Sequence, residues 1–191
     1  NLTKKTIINK QLSRNRGPSD PLRIVFLSRI SPMKNLDYAL MVLSKLKINA
    51  FFGIYGVIRD HEYWKACKNH MEKMPDNVKV KYYGEIPYDK VAKTLQAYDL
   101  FFLPTRGENF GHAIAESLMQ GTPVLISDLT PWKHLEKQEV GWDLALEDSG
   151  EAFIKVIHEF SNYGPEKISQ IRNRAVEYAE KKLNNHKLIE Q

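Results

Sequence analysis

From residue 22 onward the chain repeats one pattern: a short apolar run, a polar break, then apolar positions three and four apart. Short continuous apolar runs suit buried strands, and the 3–4 spacing suits helices with one buried face. Strands are predicted at 23–28, 50–55 (ending at Gly56), 78–83 (stopped at Gly84), 100–103 (halted by Pro104) and 124–127, with an edge strand at 142–146. Helices are predicted between them. One spans 35–46, with Leu36, Leu40, Leu43 and Leu46 on one face, Asn35 as N-cap and Asp37 in the first turn. Others span 60–74, a segment opened by Pro87 with Val91, Leu95 and Tyr98 inward, and the stretch from Gly111 to Gly121. A short helix is expected from Thr130 and Pro131 through Trp132 and Leu135, and two helices at 149–161 and 165–183 close the chain.

Alternating strands and helices with continuous apolar strands predict an α/β fold, a doubly wound parallel sheet with helices on both faces. Trp132, Trp142, Phe153 and the tyrosines read as packing residues. Residues 1–21 differ: they are polar and end in turn formers, and read as a basic linker ahead of a domain at 22–191. The chain starts with Asn, so it is expected to be a piece of a longer protein whose other part precedes it.

Charge changes the picture only once it is located. The 191 residues carry a net +5, and all of that excess falls in residues 1–23, where Lys4, Lys5, Lys10, Arg14, Arg16 and Arg23 face only Asp20. A basic leader on a neutral body argues against a nucleic-acid face on the fold itself. The leader reads as solvated linker, with contact to an anionic membrane surface as the alternative. The single cysteine, Cys67, excludes an internal disulfide and, with no signal-peptide pattern, makes cytoplasmic the expected location.

Candidate chemistry concentrates in 99–123, read as strand, loop and helix. In open α/β sheets ligands bind at the carboxyl ends of strands, which is where this loop falls. The N–H groups of Asn109, Phe110, Gly111 and His112 and the positive helix end favour a phosphate, and Gly111 lets a ligand approach the backbone. Glu108 and Glu116 flank that mouth; taken as helical, their spacing is ~12 Å, and each carboxylate accepts hydrogen bonds from hydroxyls. The competing structural reading makes Thr105 and Glu108 a capping box and Glu116 a solvated helix residue. Arg29 and Lys34 follow the first strand at the same sheet edge, and a cation just before a helix N-terminus opposes the dipole unless an anion sits there. His112 reads as a wall or backbone contributor rather than a base. Missing motifs narrow the field: no G-x-G-x-x-G follows the first strand, no G-x-x-x-x-G-K-[ST] or G-x-S-x-G occurs, and six histidines lack paired ligand spacing.

The segments RIVFLSRISPMKN (23–35), YG (55–56), YYGEI (82–86), YDLFFLPTRGENFGHAIAESLMQGTPV (98–124) and DLTPWKHLE (128–136) together resemble the C-terminal donor-binding domain of retaining GT-B glycosyltransferases, over about 22–146. The resemblance implies a Rossmann-like half of a GT-B fold that binds a nucleotide sugar, UDP-linked first, and passes the sugar to a glycan or lipid-linked acceptor with retention. By the same resemblance Arg29 and Lys34 hold the donor diphosphate and stabilise its departing charge, Glu108 touches donor-sugar hydroxyls, and the backbone of Asn109, Phe110, Gly111 and His112 contacts sugar and phosphate. Glu116 then binds the ribose, and Gly84, Glu85 and Ile86 lie at the base. No cofactor and no bound metal are implied, while an N-terminal acceptor domain is, together with peripheral membrane contact through the full-length protein. The sequence departs from the pattern at Asn109, where Gly is frequent, at Val57 after Gly56, and at Trp132 and Lys133, where small residues are common before the glutamate matched by Glu136. A GT-B-like epimerase or phosphorylase, or a non-catalytic nucleotide-sugar-binding domain, are the alternatives.

Overall fold

The computed structural model describes residues 16–17 and 20–189, with side chains through Asn184. The predicted linker therefore lies outside the described residues, apart from 16–17 and 20–21. Six strands form one sheet: β1 (Leu22–Leu27), β2 (Ala50–Tyr55), β3 (Val78–Tyr82), β4 (Leu100–Leu103), β5 (Val124–Ser127) and β6 (Gly141–Leu144). Every pair is parallel, and the order is β3-β2-β1-β4-β5-β6. Six helices connect or cover them: α1 (Leu36–Ser44), α2 (His61–Glu72), α3 (Tyr88–Gln96), α4 (His112–Met119), α5 (Glu151–Ser161) and α6 (Pro165–Ile189). The doubly wound prediction stands: α1 packs with α2 and α5 on one side, and α4 packs with α3 and α6 on the other.

The central strands are sealed by their own composition. Ile24, Val25 and Phe26 of β1, Phe101 and Phe102 of β4, and Leu125 and Ile126 of β5 are completely buried, as strands covered on both faces require. Val91, Leu95 and Tyr98 point inward as their spacing predicts. Tyr98 fills a space that β2 leaves open, because a Cβ on Gly53 would lie 2.0 Å from its hydroxyl. Trp132, Trp142 and Phe153 are buried as expected, but the tyrosine expectation fails at two positions. Tyr83 is 42% exposed just past the edge strand β3, stacked on Tyr55 at 4.7 Å, and Tyr88 is 83% exposed at the start of α3.

The predicted short helix at 130–135 is absent; turns run through 135–139 instead. Local hydrogen bonds win there: Thr130 Oγ1 accepts from the Trp132 N–H, and the Asp143 carboxylate accepts from the N–H groups of His134 and Leu135. His134 also sits at φ +59, which a helix cannot contain. At the other end α6 runs on to Ile189, past the expected stop at Leu183, since no Gly or Pro interrupts it.

Because the strand order reverses between β1 and β4, the loops after these two strands diverge and leave a crevice. Pairing beyond the strands stiffens one side of it. Ile30 N–H donates to the Val57 carbonyl at 2.8 Å, and Arg59 N–H donates to the Ile30 carbonyl at 3.0 Å. Gly56, at φ +144, makes this closeness feasible: its N–H donates to the Gly84 carbonyl at 2.8 Å, and a Cβ there would lie 1.8 Å from the Ser28 carbonyl oxygen. Gly56→Ala therefore forces the loops after β1 and β2 apart. The expected loss is about 3 kcal/mol, seen as a lower urea midpoint with an unchanged m-value.

Candidate active site

Three loops meet at the carboxyl end of β1, β4 and β5. The first leaves β1 through a short 3-10 helix at Pro32–Lys34. The second follows Pro104: Arg106 N–H donates to the Met33 carbonyl at 2.8 Å, and the Thr105 hydroxyl donates to the same oxygen at 3.1 Å. The third, after β5, accepts the Glu108 N–H on the Leu129 carbonyl at 3.2 Å, and the Ser127 hydroxyl donates to the Thr105 carbonyl. Asn35 joins the first two. It is 2% exposed at φ +61, its Nδ2 donates to the Pro104 carbonyl at 2.9 Å, and its Oδ1 accepts from Arg106 Nε at 3.1 Å. Asn35 thus stands at the N-cap of α1 as predicted, but its amide ties loops together and caps nothing.

Across the crevice Lys34 Nζ lies 2.5 Å from Glu108 Oε1, with side chains only 9% and 13% exposed. Lys34 is therefore no surface charge. The pair spans 74 positions of sequence and links the loop of β1 to the loop of β4 at the reversal of strand order. An ammonium carries three N–H donors, and Glu108 Oε1 is the one acceptor it meets among the described residues. The capping-box alternative fails: Thr105 is occupied by the Met33 and Gly107 carbonyls, Glu108 by Lys34, and α4 begins only at His112. The same fact corrects the ~12 Å spacing of Glu108 and Glu116, because helical rise applies only from His112 onward.

Gly111 is the N-cap of α4 at φ +81, where a Cβ would meet Ile114 Cδ1 at 2.8 Å. No backbone carbonyl among the described residues accepts from the N–H of Gly111 or His112. Asn109 and His112 are exposed at this mouth, Phe110 is half-buried, and its ring lies 4.9 Å from that of His112 and 5.9 Å from that of Trp132. Glu116, one turn into α4, is half-buried, and its side chain has no hydrogen-bond partner among the described residues. Burial pushes its carboxyl above the usual range, and the nearby His112 partly opposes this.

Arg29 follows β1 and is exposed, with no ion pair among the described residues. Gly84 reaches the neighbouring loop through its carbonyl, which takes the Gly56 N–H; Glu85 is exposed and Ile86 half-buried behind it. The sequence reading missed three residues: Asn35 as a loop tie, Arg106 as its partner, and Trp132, whose Nε1 donates to the Phe110 carbonyl at 2.6 Å. Of these only Trp132 left a signal, a large aromatic where the resemblance implies a small residue. Two surface cavities, about 540 and 700 Å³, open elsewhere, beside Gly141 and Trp142 at the amino end of β6 and beside residues 47–49 just before β2.

A parallel sheet in this order, with charged loops over the reversal of strand order, defines a Rossmann-type α/β binding domain. The profile of the family described as glycosyl transferases group 1 matches residues 8–182, and the chain belongs to that family. A curated relative, an uncharacterized 41.2 kDa protein in the cps region of Klebsiella pneumoniae, is 23% identical over 120 residues, 63% of this chain and 31% of that protein. The fold superposes on a glycosyltransferase from Rickettsia africae with a TM-score of 0.71 and 19% identity, over 85% of this chain and 43% of that one. It also superposes on the Anabaena protein HepE, solved with UDP and glucose, with a TM-score of 0.70 and 17% identity, over 84% and 44% of the two chains. The chain thus spans about a third of the curated relative and under half of either solved structure.

Two outcomes test the electrostatics. Lys34→Ala leaves Glu108 without its partner in a site where both are mostly buried, so it costs about 2 kcal/mol in urea unfolding, and Glu108→Gln in the same background restores part of the loss. For Glu116, a carboxyl raised in the folded state holds its proton longer than in the unfolded chain, so stability falls as pH rises from the ordinary value of 4.5 through the raised one. Glu116→Gln removes that slope, and the urea midpoint of the variant gains on the wild type as pH rises above the ordinary carboxyl value of 4.5.

Proposed function

We propose that this chain is the donor-binding half of a glycosyltransferase that moves a sugar from a nucleotide sugar, UDP-linked first, to a glycan or lipid-linked acceptor with retention. The observation that carries the reading is the Lys34–Glu108 pair over the switch point, beside the open N-terminus of α4. A lone ion pair needs no such setting; a cation with two N–H groups to spare, next to unpaired helix amides, suits a diphosphate. Arg29 supplies the second positive charge from the same loop, and together these groups offset the charge that grows on the leaving diphosphate. Glu108 keeps Oε2 for a donor-sugar hydroxyl, and Glu116, half-buried and unpartnered, accepts from the ribose hydroxyls. The backbone of Gly84, Glu85 and Ile86 lines the base. UDP is favoured because HepE, which shares the fold, was solved with UDP and glucose. The cps-region relative favours a polysaccharide product. An N-terminal domain of the same protein supplies the acceptor groove, and without it this half binds donor but does not turn it over. No described helix is long and apolar enough to cross a membrane.

Calorimetric titration of the chain with UDP, GDP, ADP and uridine tests this. UDP is expected to bind and raise the melting temperature. Arg29→Ala is expected to weaken UDP about tenfold or more while uridine affinity and the apo melting temperature stay unchanged, since Arg29 is exposed and has no ion pair among the described residues. Ribose hydroxyls bound to ionised Glu116 lower its raised pKa, so UDP binding near that pKa releases protons, and Glu116→Gln abolishes the release. Wild-type protein that binds no nucleoside diphosphate at millimolar concentration ends the proposal.

A further inference from the structure

Trp132 is completely buried, yet it stands outside every helix and strand, in the loop after β5. Its position is fixed from several sides. The Trp132 N–H donates to Thr130 Oγ1 at 3.1 Å, Lys182 Nζ lies 4.5 Å from its ring centroid, and the same Nζ donates to the Pro131 carbonyl at 3.2 Å. From that position the indole Nε1 donates to the Phe110 carbonyl at 2.6 Å. A buried indole N–H needs an acceptor, and here the acceptor belongs to the peptide that leads into Gly111.

That peptide is the one whose direction decides what the mouth offers. A trans peptide is planar, with its carbonyl and N–H pointing opposite ways. With the Phe110 oxygen turned to the indole, the Gly111 N–H must point away from Trp132, and no described residue accepts from it. Gly111 sits at φ +81, and a peptide before such a glycine flips at small steric cost. Flipped, it would present a carbonyl oxygen beside the α4 N-terminus, where it would repel an anion.

We propose that Trp132 is a positioning residue that holds the Phe110–Gly111 peptide with its N–H facing the mouth, so that an incoming diphosphate meets a donor. This rests on the donor-binding reading above and adds to it the group that sets one phosphate contact. A small residue at this position, as the family resemblance leads one to expect, could not supply the bond, so the device belongs to chains that carry Trp here.

The cleanest variant replaces Trp132 by 3-benzothienylalanine, which exchanges the N–H for sulfur and keeps the ring shape; Trp132→Phe is the second. Both are titrated with UDP and with uridine. Loss of about tenfold in UDP affinity with uridine affinity unchanged supports the proposal. Equal losses for both ligands, the mark of a merely structural role, or no loss for either, overturn it. The Gly111 amide gives a readout independent of nucleotide: in ¹H–¹⁵N spectra it is expected to broaden or split in the benzothienyl variant as the peptide begins to flip. A single, unshifted Gly111 resonance overturns the proposal. Wild-type protein that fails to bind UDP defeats the donor-binding reading, and the Gly111 spectrum then still decides whether Trp132 sets the peptide.

Discussion

One ion pair organises the carboxyl end of this sheet. Lys34 and Glu108 meet where strand order reverses, so the contact closes a gap that the topology itself opens. On its far side the loop of β1 is braced by the backbone bonds of Ile30 with Val57 and of Arg59 with Ile30. Asn35 completes the join by giving both ends of its amide to the loop of β4, and the Met33 carbonyl takes two donors from that loop as well. With both charges mostly buried, each fixes the other, and Asn35 and Thr105 beside them are hydrogen-bonded in turn.

Around that pair the charges are deliberately unequal in their satisfaction. Glu108 has a cation, whereas Arg29, Glu116 and the first amides of α4 have no partner among the described residues. Glu116 shows the cost as a raised carboxyl pKa. Open groups of both signs on adjoining elements are what the donor-binding proposal rests on, since a nucleotide sugar has anionic and hydroxyl-bearing parts. The cavities at the opposite end of the sheet offer no such combination around a switch point.

The rest of the fold serves to hold these loops. Gly56 lets the loops after β1 and β2 touch, and the loop after β5 reaches beneath the mouth through Ser127, Leu129 and Trp132. Absence of the expected helix at 130–135 is part of the same arrangement. An extended, turn-rich segment can send the Leu129 carbonyl and the Trp132 indole to separate points of the loop after β4, which a helical turn of the same length could not.

The strands and helices were legible because their signal is local: apolar runs between breakers for β1, β2, β4 and β5, and 3–4 spacing for α1 and α3. The one predicted element that failed, the helix at 130–135, lost to nearby side chains that take its backbone N–H groups, Thr130 for Trp132 and Asp143 for His134 and Leu135. Within the site, the sequence alone determined which residue types stand at the sheet's ligand edge, because chain order along a parallel sheet fixes which end each loop leaves. Only the tertiary structure decided which of them are joined and which are left open. Lys34 pairs with Glu108, Asn35 with Arg106, and Trp132 with Phe110, across 74, 71 and 22 positions. Hydrogen bonds are directional and short, so partners that far apart in sequence are chosen by the packing of the sheet and not by any spacing along the chain.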